Sequence, residues 1–226
     1  MSPKVPYGKA AMKEIRTSAG ERSHTITWND PQVSAQAIKT MSGLDYLRAL
    51  RDGRSPLPPM YRLFDFRLLD VEEGRVVIEL TPVECQCNPV GMIHGGFACT
   101  ALDSAMACAV HTTLPVQAEL TTLEIKVNFV RGIKVETGNM RCEGRVIHAG
   151  NRTATADGRL TDSKGVLYAH GVVTCLILRP GSGEIKIAAK EAPEFSAGAA
   201  LKAAAAGKAV PAKPKAKKTA VKPKKK

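Results

Sequence analysis

Between Gly95 and Thr113 the chain carries one acidic side chain, Asp103, in a run that is otherwise small or apolar. Phe97, Ala98, Cys99, Leu102, Ala105, Met106, Cys108 and Val110 spread over every face of a helix. A helix apolar on nearly all sides needs cover on nearly all sides. The run is too short to cross a bilayer, which takes about 20 apolar residues, so the cover has to be protein.

The flanking sequence supplies it as strands. Tyr61–Asp70 and Arg75–Thr81 read as two strands around a turn at Glu72-Glu73-Gly74. After Pro115 the period changes to two, with Leu123, Ile125, Val127 and Phe129 alternating with Glu124, Lys126 and Asn128. Three more strands are predicted at about Val135–Ile147, Arg152–Thr161 and Val166–Leu178, separated by turn signals at Ala149-Gly150-Asn151 and Asp162-Ser163-Lys164-Gly165. Two strands, one helix and four strands predict an α+β architecture: a curved antiparallel sheet of five to six strands wrapped around one buried central helix. A helix face left uncovered would favour dimerisation.

Upstream, residues 1–27 show no sustained period. Asp30-Pro31 reads as an N-cap followed by proline at the first helical position. The helix runs to Arg51 with a break at Gly43, and Ser55-Pro56-Leu57-Pro58-Pro59 forms a stiff linker. Trp28 is a candidate anchor for this segment. Downstream, the net charge of +12 has a local source: residues 201–226 hold ten lysines and no acidic residue, leaving 23 basic against 21 acidic side chains elsewhere. Such an Ala/Lys/Pro-rich segment cannot bury a core and is expected to be disordered. It is either a polyanion-binding arm, for nucleic acid or an anionic membrane surface, or a solubilising tail. The expected division is 1–56 as an N-terminal extension with one helix, 57–182 as the folded domain and 183–226 as the basic tail.

Six cysteines lie between Cys85 and Cys175 without paired-motif spacing, which predicts reduced thiols and a cytoplasmic protein. The N-terminus, Met1-Ser2-Pro3-Lys4-Val5-Pro6, lacks the apolar stretch of a secretory signal. Cys85-Gln86-Cys87 matches no standard zinc pattern, so no metal is expected. His111, His148 and His170 are isolated in sequence and read as structural or exposed. No phosphate loop, dinucleotide fingerprint or serine nucleophile elbow occurs, and no cofactor is expected.

The chemistry concentrates in Asn88-Pro89-Val90-Gly91-Met92-Ile93-His94-Gly95-Gly96 and in Asp103. A carboxylate on an apolar helix is costly unless paired or neutralised, and such acids cluster at active sites. Two glycines at a helix start allow close approach to outward-pointing N–H groups that can stabilise an oxyanion. Gly95 and Asp103 lie eight residues apart, about 12 Å along one helix. One carbonyl cannot easily use both within a single chain, whereas antiparallel helices across a two-fold axis bring each helix start near its neighbour's middle.

The pattern Asn88-x5-His94-Gly95-Gly96-x6-Asp103, with a strand beginning Thr121-Thr122, resembles the hotdog-fold acyl-CoA thioesterases. The nearest branch contains the phenylacetate-pathway and 4-hydroxybenzoyl-CoA enzymes with an acid on the helix. The resemblance spans roughly Leu57 to Pro180. It implies a hotdog fold, an acyl-CoA substrate and a homodimer or dimer of dimers. Asp103 would be the catalytic acid, acting as general base or nucleophile, and Gly95 N–H the oxyanion donor from the opposite subunit. Asn88 would orient the thioester or the water, and Thr122 (or Thr121) would hold the water. His94 would shape the loop, and His94, Gly96, Thr121 and Arg131 would be the substrate-binding residues, with Arg131 near coenzyme A. Aspartate on the helix matches the glutamate-using branch less well. The implied activity is hydrolysis of acyl-CoA to acid and coenzyme A. The alternatives are a non-catalytic acyl-CoA-binding protein tethered by its tail, and a hydratase or dehydratase, whose usual His/Glu or Asp/His arrangement is not apparent.

Overall fold

A computed structural model of the chain describes residues 20–180. Residues 1–19 and 181–226, the basic tail of 183–226 among them, lie outside the described residues with the expectations attached to them.

The first helix, α1 (Pro31–Thr40), starts as the local sequence dictates. Asp30 caps it by accepting from the Gln32 N–H at 2.9 Å, with proline at the first helical position. It ends before Ser42, whose hydroxyl accepts from the Asp45 N–H and opens a second helix, α2 (Gly43–Arg51). The extension therefore holds two helices, divided at Gly43. A side chain at Gly43 would meet the His111 carbonyl, and its N–H donates to Leu114 O at 3.0 Å. Through Tyr46, Leu47 and Leu50, α2 joins the same hydrophobic core as the sheet. Trp28 is 58% exposed and anchors nothing.

The expected strand from Tyr61 gives way to a short helix, α3 (Pro59–Leu63), because Pro59 supplies a preset helical φ at its start. Asp65, at φ +49°, ends that excursion, and β1 is confined to Arg67–Glu72. It forms a hairpin with β2 (Arg75–Leu80) through Gly74. Helix α4 (Gly95–His111) follows, then β3 (Glu119–Phe129), β4 (Met140–Ala149), β5 (Thr153–Asp162) and β6 (Leu167–Leu178). The segment expected to open the fourth strand, Val135–Thr137, is instead a single 3₁₀ turn ended by Gly138 at φ +70°.

All six strands form one antiparallel sheet in the order β1-β2-β4-β5-β6-β3. This is the expected hotdog fold. Helix α4 packs on the sheet through Phe97, Ala98, Ala101, Leu102, Ala105, Met106, Ala109 and Val110, against Met140, Leu160 and Val173 among others. Each large aliphatic side chain fully buried here contributes about 1.5–3 kcal/mol. Close approach is possible because Gly144 and Gly158 sit opposite one another on adjacent strands. A Cβ at Gly144 would lie 2.3 Å from the Ala105 carbonyl oxygen, and one at Gly158 2.8 Å from Met106 Cγ. The opposite flank of α4, carrying Thr100, Asp103, Ser104 and Ala107, is only half-buried, so the helix is not sealed on every side.

The alternation in β3 does not run through as one face. A register shift between Thr122 and Glu124 moves the buried parity from Leu120 and Thr122 to Ile125 and Val127. Leu123, expected inside, is 58% exposed, and so is Phe129 at the end of this edge strand. Among the described residues no helix is long and apolar enough to cross a membrane.

Candidate functional site

Two places on α4 carry the residues expected to act, and local hydrogen bonding builds each of them. At the helix start, Asn88 organises the preceding loop. Its Oδ1 accepts from the Val90 and Met92 N–H groups, both at 3.1 Å, and its own N–H donates to Met92 O. The side-chain oxygen is thus committed to the loop, and only the amide NH₂ is available to a ligand. Backbone bonds from His94 to Gln86 O and from Ile93 to Ile133 O fix the approach to the helix.

His94 is the N-cap. Its Nδ1 accepts from Gly96 N–H at 2.9 Å, and its carbonyl accepts from Phe97 N–H at 3.0 Å. This leaves the Gly95 N–H without an acceptor among the described residues, pointing out of the positive end of a 17-residue helix. Phe129 leans over the glycine, its Cζ 3.3 Å from where a Cβ would sit. A cavity of about 220 Å³ opens beside it, lined by His94, Gly95, Phe129 and Arg131. The Arg131 guanidinium lies 5.9 Å from the centre of the Tyr168 ring.

At the middle of the helix Asp103 is half-buried, and Thr122 Oγ1 donates to its Oδ1 at 2.9 Å. The β3 bulge decides which threonine does this: Thr122 turns towards α4, and Thr121 is exposed. Two thiols flank the carboxylate. Burial pushes Cys108 up to about 11, with the negative charge of Asp103 adding to the effect against a bond from Tyr61. Cys175 is raised for the same two reasons, against a bond from Thr122. Both thiols therefore stay protonated near neutrality.

Asp103 opens onto a groove of about 560 Å³ between α4 and α1, mostly apolar, with Ile38, Tyr61, Ala107, Cys108 and Leu120 among its lining residues. The Tyr61 hydroxyl lies 3.0 Å from Cys108 Sγ. Sequence reading missed Ile38 and Tyr61, because no local signal links either to Asp103. His111 closes the far end, its basicity lowered by burial, with its ring 5.8 Å from that of Tyr46.

The structure thus brings Thr122 to Asp103, and His94, Gly96 and Arg131 to Gly95. It does not bring the two groups together, since the helical rise separates them by about 12 Å. Cys85 lies within a 3₁₀ turn, Glu84–Gln86, that Cys87 ends, and Cys87 bridges to Ile93. Among the described residues no cluster of three or more His, Cys, Asp or Glu could hold a metal ion.

Residues 90–169 match the family model of the thioesterase superfamily. A protein of Saccharolobus solfataricus named as a candidate esterase is 25% identical over 135 residues, covering 60% of this chain and 94% of its own. A second, similarly named protein of that organism is 32% identical over 97 residues, covering 43% and 63%. Among solved structures, a candidate thioesterase of Ralstonia eutropha JMP134, titled as phenylacetic acid degradation-related, is 26% identical. It superposes with a TM-score of 0.54 over 58% of this chain and 98% of its own.

Proposed function

We propose, for a hotdog-fold chain whose residues 90–169 carry the thioesterase-superfamily pattern, that it hydrolyses acyl-CoA thioesters to a free acid and coenzyme A. The observation that carries this reading is the Thr122-bound carboxylate of Asp103 opening onto an apolar groove. An apolar groove with one anchored anion suits a substrate whose reacting carbonyl bears an apolar group.

The catalytic unit is taken as residues 57–182, working as a homodimer or a dimer of dimers. In each site Asp103 of one subunit faces the Gly95 N–H of the other. The carbonyl oxygen accepts from that N–H, which strengthens its hold as the oxygen becomes an anion. Asp103 drives the attack, either by taking a proton from the water that bonds to the carbonyl carbon or by adding to that carbon itself. In both routes the carbon–sulfur bond then breaks and coenzyme A leaves as a thiolate that takes up a proton, in the first route the one held by Asp103. In the second route water hydrolyses the acyl-aspartyl anhydride to free acid and Asp103. Thr122 fixes the carboxylate rotamer, and the NH₂ of Asn88 is available to the incoming carbonyl or water. His94 acts on the backbone rather than on protons, because its Nδ1 is occupied by Gly96. Arg131, exposed beside the smaller cavity, is placed to meet the anionic part of coenzyme A. The lysines of 201–226 supply salt-sensitive attraction for polyanions, separate from the chemistry.

The test is thiol release from a series of acyl-CoAs by the wild-type chain and by Asp103→Asn. Loss of the carboxylate should lower kcat by about 10²–10⁴ with a smaller change in KM. Tight acyl-CoA binding without turnover by the wild type would favour the non-catalytic binding protein instead. Single-turnover hydrolysis in ¹⁸O-water separates the two routes: label enters Asp103 only if the carboxylate is the nucleophile.

A further inference from the structure

The groove beside Asp103 has two walls of different origin. One is the half-buried flank of α4, where Asp103, Ala107 and His111 succeed one another at one-turn spacing. This wall runs about 12 Å from carboxylate to imidazole. The other wall is α1, which precedes residues 90–169 in the chain and so lies outside the matched pattern. Ile38 projects from α1 into the groove and also packs partly against the core, which fixes the gap it leaves.

The chemistry of the lining is one-sided. Tyr61 and Cys108 form the interior and are engaged with each other. Burial holds the phenol far above its ordinary range and the thiol at about 11, so neither presents a charge to a guest. Apart from Asp103 itself, the charged side chains that line the groove, Lys39 and Glu119, are exposed to solvent at its edge. A guest lying along α4 therefore meets mostly apolar surface between Asp103 and His111, with the Ser104 hydroxyl as a polar group on the way.

We propose that this groove is the acyl site and that α1 sets its selectivity through Ile38. The chain then prefers thioesters of uncharged, unbranched acyl groups of medium length, lying from Asp103 towards His111 with their middle against Ile38. The inference rests on the reading of Asp103 as the catalytic carboxylate. An extended chain advances about 1.1–1.2 Å per bond, so a 12 Å wall accommodates roughly ten bonds. Each methylene withdrawn from water adds about four-fold to binding until the wall ends.

The experiment uses the full chain and acetyl-, butyryl-, octanoyl-, dodecanoyl- and hexadecanoyl-CoA. It compares the wild type with Ile38→Trp and Ile38→Ala, with circular dichroism to verify the fold. In the wild type kcat/KM should rise from acetyl to octanoyl and fall for the longest chains. Ile38→Trp should lower the octanoyl value by about ten-fold or more while the acetyl value stays within about two-fold. Ile38→Ala, which removes contact at mid-chain, should lower the octanoyl value several-fold and leave the acetyl value within about two-fold. Equal losses for acetyl and octanoyl, or a length profile that neither substitution alters, overturns the assignment.

A second readout separates this inference from the catalytic reading on which it rests. Binding of the non-hydrolysable thioether S-octyl-CoA is measured by calorimetry. If no acyl-CoA is hydrolysed yet Ile38→Trp weakens S-octyl-CoA binding about ten-fold, hydrolysis is wrong and the groove assignment stands. If binding is indifferent to Ile38→Trp, the groove assignment is wrong whatever the chain hydrolyses.

Discussion

The Thr122 hydroxyl donates to Asp103 Oδ1 at 2.9 Å, joining the edge strand β3 to the one carboxylate that α4 carries. A β-bulge one residue further on makes this possible, because it turns Thr122 inward where an unbroken strand would have continued to point Leu123 at the helix. The site thus depends on an irregularity of the sheet as well as on the helix.

Removing that hydroxyl should slow the chemistry without removing it. A hydrogen bond to a charged group contributes about 1.5–3 kcal/mol. Thr122→Ala should therefore lower kcat by about 10–100-fold, and Thr122→Ser should recover most of the loss. Steady-state kinetics of the two variants checks this. Wild-type kcat in Thr122→Ala would separate the threonine from catalysis.

Gly95→Pro offers a clean deletion of the proposed oxyanion donor. Proline is welcome at the first helical position, and His94, at φ −61° and ψ 139°, already has the extended backbone that a residue before proline adopts. The added Cβ would lie 3.3 Å from Phe129 Cζ, the end of an exposed side chain that can give way by a few tenths of an ångström. The variant should stay folded and lose about 10²–10³ in kcat. Co-expressed with Asp103→Asn, it should regain roughly a quarter of wild-type activity, because each heterodimer restores one of two shared sites. No recovery in isolated heterodimers would place both groups in one subunit's site.

Acid should weaken the fold through His111. Burial disfavours its imidazolium, so the folded chain binds this proton less readily than the unfolded one. The resulting stability is fully present above pH about 6.5 and is lost as the pH falls through the lowered folded value. Asp70, whose carboxyl is held below its ordinary value by Arg75, acts only at much lower pH. Thermal melts between pH 7.5 and 5 should show a falling Tm in the wild type and a shallower slope in His111→Asn. Parallel slopes would assign the acid sensitivity elsewhere.

Packing of α4 on the sheet should fail at Gly144. A methyl group there meets backbone, the Ala105 carbonyl oxygen at 2.3 Å, which cannot rotate away. Gly144→Ala should cost about 1–3 kcal/mol or more and lower Tm by ~2–4 °C for each kcal/mol. An unchanged melting temperature would mean that α4 can retreat from the sheet.

Much of this arrangement is local and therefore legible in sequence. The start of α1 at Asp30-Pro31, the Gly43 break, the Gly74 hairpin and the helix from Gly95 follow from caps, turns and composition within a few residues. The spacing from Asn88 to Asp103 likewise located the capped helix start and the helix carboxylate on which the proposed site rests. What escaped has a different physical origin. Pro58-Pro59 diverted Tyr61 into a helix although its neighbours resemble a strand, and the parity change at Leu123 arises from pairing with β6 rather than from β3 itself. Ile38 and Tyr61 meet Asp103 only through the tertiary fold, and no local pattern encodes that meeting.

The pair formed by Gly144 and Gly158, facing Ala105 and Met106, has a bearing on how such a molecule can be altered. It presses α4 so close to the sheet that the seam between them admits no guest and tolerates no bulkier residue. Variation that survives must fall on the outer flank of α4 and on whatever lies over it, chiefly α1. A lineage or an engineer seeking a new substrate would thus find the scaffold closed to change and the first helix open, with recognition free to drift while the carboxylate and its fold stay fixed.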